Sequence, residues 1–198
     1  MSQETISVRA SQPRVVSSAE KKNGTLDISA LVLIAILLAA GAVLKLTVGS
    51  LLASMGMKPN FVIAMYCLAI ILVRPKIGQV LIVGLLAVAL CQIPMLNATP
   101  LLNIPSELLG ALVCGLLIKV PMNIAGKLDV NPLVSTFVAT LVSGSVFVAL
   151  SIYINVVSTG GDVLVAFAAY AAIVLGTAAF NAAIVQVLVV PLRKVLKK

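Results

Sequence analysis

The chain contains no histidine and no tryptophan, and only six of its 198 residues are Asp or Glu. Without histidine it lacks both the commonest metal ligand and the usual acid–base group near neutral pH. The acidic residues form no carboxylate pair of the kind hydrolases need, and neither HExxH nor GxSxG occurs. The absence of GxxxxGK[ST] excludes a nucleotide-binding P-loop. Cys67, Cys91 and Cys114 stand singly inside apolar runs with no CxxC spacing, so they read as small buried apolar residues rather than metal ligands or disulfides. No pattern in the chain calls for a cofactor, and none calls for an enzyme.

What is present is apolar. Hydrophobic residues make up 61% of the chain and charged residues 10%, with a mean hydropathy of +1.19. A soluble domain of this size cannot bury that much apolar surface, because its exterior would be as oily as its core. The sequence therefore predicts an all-α, polytopic membrane protein. The net charge of +8 does not indicate a nucleic-acid partner. Its basic residues sit singly or in pairs at the ends of apolar runs and in the tails, as topology signals do.

Three domains are expected: a disordered cytoplasmic tail over 1–28, a membrane domain over 29–192, and a basic cytoplasmic terminus over 193–198. The tail is rich in Ser, Gln, Lys, Arg and Glu and has no signal-peptide core. Six apolar runs follow, at roughly 29–48, 61–73, 77–93, 105–118, 132–156 and 162–190, of which the second and fourth are short. Lys21 and Lys22, Arg74 and Lys76, Lys119 and Lys127, and Arg193, Lys194, Lys197 and Lys198 fall in one set of connections. The alternate connections "PMLNATPLLNIP" and "NVVSTGGD" hold no lysine or arginine. The positive-inside rule then predicts a six-helix bundle with both termini in the cytoplasm. "PMNIAGKLDVNP", 121–132, reads as the longest cytoplasmic loop or a surface helix.

Lys45 and Lys58 break the charge rule, since both fall near the outer side. At about 1.5 Å of rise per residue, Lys58, Lys45, Gln92, Glu107 and Asn181 all come out roughly 18 to 24 Å above the inner ends of their helices. That level lies in the outer half of the hydrocarbon core, where an ionisable group usually faces a cavity or a partner. Two readings stay open. In one, the polar side chains are structural ties, with a lysine paired to Glu107. In the other, they line an outward-open pocket for a zwitterion, with lysine facing a carboxylate and glutamate an ammonium. Asn97, Asn103, Asn155 and Tyr153 are candidates for its mouth, and Phe61, Met65, Tyr66, Phe137 and Phe147 for an apolar wall. Pro105 fits a helix first turn with Glu107 just after it. In "AILLAAGA", 35–42, Ala35 and Ala39 are spaced to let a second helix approach closely.

Six short helices without an ATPase, the AxxxA of the first helix and an outer pocket together resemble the substrate-binding S components of energy-coupling factor (ECF) transporters. More narrowly, "GMKPNF..AM" (56–65), "PK" (75–76), "NIP" (103–105) and the asparagine of "FNAAI" (180–184) are similar to the small tryptophan-transport proteins of Gram-positive bacteria. The resemblance covers about 29–192. It implies a bacterial plasma-membrane protein that binds its solute from outside and docks on a T-type membrane subunit driven by two cytoplasmic ATPases. It also implies that Ala35 and Ala39 contact that subunit and that Lys58 lies in a loop covering the pocket. Tryptophan or a related aromatic compound is the implied solute, although Asn60 stands where the tryptophan-type motif often has Asp. A vitamin-specific S component, a stand-alone proton- or ion-coupled carrier and a non-transporting scaffold subunit are the competing expectations.

Overall fold

The computed structural model describes residues 26–54, 59–97, 99–124 and 128–196. Lys58, the first 25 residues, and Lys197 and Lys198 of the terminal basic cluster lie outside them. Seven α-helices account for most of the described chain: α1 (Ile28–Leu46), α2 (Val48–Ser54), α3 (Phe61–Val73), α4 (Ile77–Cys91), α5 (Asn103–Leu117), α6 (Asn131–Ile152) and α7 (Val163–Val195). They follow the six apolar runs closely, with the first run divided at Thr47. There the threonine hydroxyl donates to the Val43 carbonyl at 2.8 Å, an internal bond that bends helices. Four stretches are long and apolar enough to cross a membrane: Ile28–Ala53, Pro100–Leu117, Asn131–Val157 and Val163–Val195. α3 and α4 are apolar but shorter.

α3 is the centre of the bundle. Every residue from Phe61 to Leu72 is buried, and α1, α4, α5, α6 and α7 all pack on it. A helix that is hydrophobic all round is expected to be enclosed in this way. α1 turns Ile34, Leu37, Leu38 and Gly41 toward it. A Cβ at Gly41 would stand 3.0 Å from Met65 Cγ and 3.1 Å from the Phe61 carbonyl, so the two backbones approach closely there. α5 presents its smallest and most polar face inward: Asn103, Ser106, Glu107, Gly110, Ala111, Cys114 and Gly115. α3 ends at Arg74, which adopts the left-handed conformation (φ 50°) just before Pro75.

The two ends of the bundle differ. One gathers the C-termini of α1, α4 and α6 with the N-termini of α3, α5 and α7, and is called the cavity end below. The other carries Arg74, Lys76, Lys119, Arg193 and Lys194 and is called the basic end. At the basic end, the loop expected over 121–132 contains a short antiparallel pairing in which Asn123 faces Asp129 and Ile124 faces Leu128. Asp129 ties it down. One carboxylate oxygen accepts from the Asn131 backbone N–H at 3.0 Å, and the other pairs with Arg193 of α7 at 2.7 Å. Gln186 adds a donor to the Asp129 carbonyl and an acceptor for Leu133 N–H. Asn131 closes the end of α5 by donating to the carbonyls of Leu117 and Val120.

Close packing of α5 on α4 makes a direct prediction. A Cβ at Gly115 would lie 2.7 Å from Val80 Cγ2, so Gly115→Leu should destabilise the bundle by about 1–3 kcal/mol through overpacking. At Gly176 a Cβ meets nothing within 4 Å, and Gly176→Ala should stabilise by about 0.5–1 kcal/mol as an ordinary helix substitution. Thermal unfolding of the purified variants in detergent, compared with wild type, checks the opposite signs.

Candidate functional site

α3 begins only at Phe61, and above its N-terminus a cavity of about 640 Å³ opens. Pro59, Asn60 and Ile63 line its floor, Lys45, Gly49 and Ser50 one side, and Asn103, Ser106 and Glu107 of α5 another. α6 and α7 close it with Thr140, Ser143, Phe147, Ser151, Tyr170 and Val174 among others.

Glu107 is buried at 1% exposure, although it is the one acidic residue of the described chain in the middle of an apolar helix. It falls beyond the first turn of α5, while Pro105 sits within that turn as expected. Its Oε1 accepts from Asn60 Nδ2 at 2.9 Å and from the Cys91 thiol at 3.9 Å, the second a weak sulfur contact. Its Oε2 has no hydrogen-bond partner among the described residues. The Tyr66 hydroxyl lies beside the carboxylate without a regular hydrogen bond. It fits there because Gly110, one turn along α5, has no side chain; a Cβ would overlap the hydroxyl.

Lys45, in the last turn of α1, lines the same cavity. Its ammonium donates to Asn97 Oδ1 at 2.7 Å and lies within electrostatic reach of Glu107. The two charges are not joined as an ion pair; among the described residues, Arg193–Asp129 is the salt bridge. A lysine and a glutamate thus face one cavity without touching each other.

Around them is a set of buried oxygens without hydrogen-bond partners among the described residues. Asn60 Oδ1, Ser106 Oγ and Thr140 Oγ1 belong to cavity-lining residues, and Tyr66 OH, Thr136 Oγ1 and Asn181 Oδ1 lie in the surrounding core. Buried polar atoms are rarely left unpaired, and a cluster of them calls for a ligand, ion or water. Asn60 is informative. Its type is the preferred helix N-cap, yet it makes no cap on α3 and turns its amide to Glu107 instead.

The residues expected from the sequence divide accordingly. Lys45, Asn103 and Glu107 share the cavity, as do Asn97 and Asn155. Asn103 also donates to the Thr99 and Pro100 carbonyls, which fixes the start of α5. Gln92 donates to the carbonyls of Val88 and Pro100 and acts as a tie between α4 and the following loop. Asn181 is fully buried behind the site, its amide donating to the Asn60 carbonyl at 3.2 Å. Phe61 packs edge-to-face on Phe180 with ring centroids 5.9 Å apart, within the core. Tyr153 points away at 70% exposure, and Met65 and Tyr66 belong to the buried α3. Ala35 and Ala39 are exposed on the face of α1 turned away from the bundle, so the small-residue contact inside the protein is made by Gly41. Ser106, Thr140, Ser143 and Ser151 do not stand out in the sequence, and Asn60 does so only as a departure from the tryptophan-type motif. The signal available was the polar stripe of α6, where Thr136, Thr140, Ser143 and Ser151 recur at helical spacing.

A family model described as the tryptophan transporter TrpP matches residues 27–197. The chain belongs to this family. No curated protein and no solved structure matches it. Membership of the TrpP family, with helices long and apolar enough to cross a bilayer, makes this a membrane transport protein with a small-molecule substrate.

Replacing Asn60 isolates one part of the site. Asn60→Leu removes the stronger donor to Glu107 Oε1, and leaving a buried acceptor without it should cost about 1–3 kcal/mol. Thermal unfolding of the purified variant should show the loss, and an unchanged midpoint would mean that the Asn60–Glu107 bond contributes nothing to the fold.

Proposed function

We propose that the protein captures tryptophan from outside a bacterial cell, as the solute-binding subunit of an ATP-driven importer of the ECF type. The observation that carries this reading is the cavity itself, with Lys45 and Glu107 on its walls and no ion pair between them. Two opposite charges in a low-dielectric region attract strongly and would normally pair. Held apart, they form a clamp for a zwitterion: Lys45 takes the carboxylate, and Glu107 Oε2 takes the ammonium in a charge-assisted bond. Lys58, adjacent in sequence to the cavity residues Pro59 and Asn60, is a second cation for the carboxylate. Ser106, Thr140 and Asn60 offer oxygens for the remaining ammonium protons. Phe147, Val148, Ile173 and Val174 supply an apolar wall for the aromatic ring.

In this reading the chain crosses the membrane six times with both termini in the cytoplasm, which puts the cavity end outside. The short α3 and α4 then count as spans. ATP-driven transport then needs a partner, since the sequence carries no P-loop. The exposed face of α1 bearing Ala35 and Ala39 is proposed as the contact for a T-type membrane subunit, coupled to two ATPases. Small residues there would let a second helix approach closely.

Purified protein should bind tryptophan in a calorimeter without ATP. Lys45→Met and Glu107→Gln should each weaken binding by about tenfold or more, the cost of one charge-assisted contact. Wild-type affinity in both variants would eliminate the clamp. Uptake in cells should fail when ATP is depleted, whereas uptake that collapses only with the proton gradient would indicate a stand-alone carrier. Orientation is checked separately: alkaline phosphatase fused after Lys198 should be inactive, and phosphatase fused within 157–161 should be active.

A further inference from the structure

The wall of the cavity formed by α6 has an irregularity that the zwitterion clamp does not use. Regular α-helix ends at Ile152, and the chain continues through one π-helical turn, Tyr153–Val157. Such turns add a residue to the helical repeat, re-aim side chains and are frequent at functional sites. Here Tyr153, Ile154 and Val157 are turned outward, at 51% exposure or more, while Asn155, itself exposed, lines the mouth of the cavity above the buried Ser151.

Asn155 is held in one orientation. Its Nδ2 donates to the Ser151 carbonyl at 3.0 Å and to Ser151 Oγ at 3.3 Å. A backbone carbonyl can face only the NH₂ side of an amide, so these contacts settle which atom is nitrogen. Both amide protons are committed. Oδ1 remains, an acceptor with no partner among the described residues. This part of the cavity therefore offers a fixed acceptor and no amide donor.

The spacing suits an aromatic amino acid. Gly110 of α5 packs on Ser143 of α6, and Glu107 lies about 4.5 Å from Gly110 toward the cavity end. Asn155 lies about 18 Å beyond Ser143 in the same direction, less the tighter rise of the π turn. The remaining gap of roughly 13 Å between helix positions is shortened from both sides by the Glu and Asn side chains. Between them stand Phe147, Val148, Tyr170, Ile173 and Val174, the apolar stretch that would hold a ring. A solute with its ammonium on Glu107 would thus bring its ring to Asn155.

We propose that Asn155 Oδ1 selects a solute whose ring carries an N–H donor, so that indole is preferred over rings of the same shape without one. This rests on the tryptophan-binding reading above. Asn155 is exposed in the open cavity, so the discrimination acts once a bound ring covers Oδ1: an analogue that lacks the donor then leaves the acceptor dry and unpaired. Ser151 positions Asn155 and is not itself required to touch the ring.

The test compares tryptophan with β-(benzothienyl)alanine, in which sulfur replaces the ring N–H at nearly constant shape. Calorimetric titration of the full-length wild-type protein should show tryptophan bound about tenfold or more tightly. In Asn155→Leu, and in Asn155→Ala as a second variant, tryptophan affinity should fall to that of the analogue while the analogue changes little. Ser151→Ala keeps the backbone carbonyl that orients the amide and should retain the preference. Equal binding of the two compounds by wild type overturns the proposal, as does an Asn155 variant that weakens both alike. If neither compound binds wild type, the tryptophan reading fails and this proposal falls with it.

Discussion

The burial of α3 is the constraint on which the rest of the structure depends. A helix of 13 residues is about 20 Å long, too short for a hydrocarbon core of about 30 Å if it had to face lipid. It does not face lipid, because five other helices surround it. Its length is therefore free to leave space inside the bundle. The longer helices around it continue past Phe61, and the volume that α3 does not fill is the cavity. Gly41 and Gly110 allow the neighbours to close on α3 below that level, so the space is confined to one end.

This geometry also explains why polar side chains can exist at that depth. Irregular backbone and ionisable groups are tolerated within a membrane protein only where they are enclosed or face a cavity. The structure uses its amides in two ways. Gln92 and Asn103 pair with backbone carbonyls around the loop between α4 and α5, and Asn97 holds Lys45 in place. Asn60 instead reaches across to Glu107 and is itself supported by Asn181 through its carbonyl. That chain of contacts joins the start of α3 to α5 and α7. It orients one carboxylate oxygen and leaves the other available. The ties thus fix the frame while a smaller group of oxygens keeps unused capacity toward the cavity.

Much of the helical framework was legible in the sequence, because lipid imposes long apolar runs and the connections interrupt them. The runs at 61–73 and 77–93 anticipate α3 and α4 almost to the residue. The break at Thr47 was not legible, since a hydroxyl bonded to its own helix leaves no pattern in composition. The short β pairing at 123–129 depends on Asp129 reaching Arg193, a contact far away in sequence. At the site, counting helical rise set Lys45, Gln92, Glu107 and Asn181 at one level. Depth along a helix says nothing of which way a side chain faces around it. Packing turned Glu107 and Lys45 into the cavity, Gln92 onto a loop and Phe61 onto Phe180. Thr140 and Ser143 went unnoticed because isolated hydroxyls are common and cheap in apolar helices.

The unequal lengths of the helices also bear on the surrounding lipid. α4, with 15 residues, exposes Leu81, Ile82, Leu85 and Leu86, so that side of the protein offers an apolar belt only about 22 Å tall. α7, with 33 residues, is about 50 Å long and exposes apolar side chains along much of its length. In the proposed six-span arrangement, a bilayer meeting both would thin beside one face, and the long helix would lean to fit beside the other. So placed, the protein would impose a wedge on the membrane instead of a collar of even height, and its resting tilt would become a function of bilayer thickness. A change in lipid chain length would shift that tilt without altering a single contact inside the bundle.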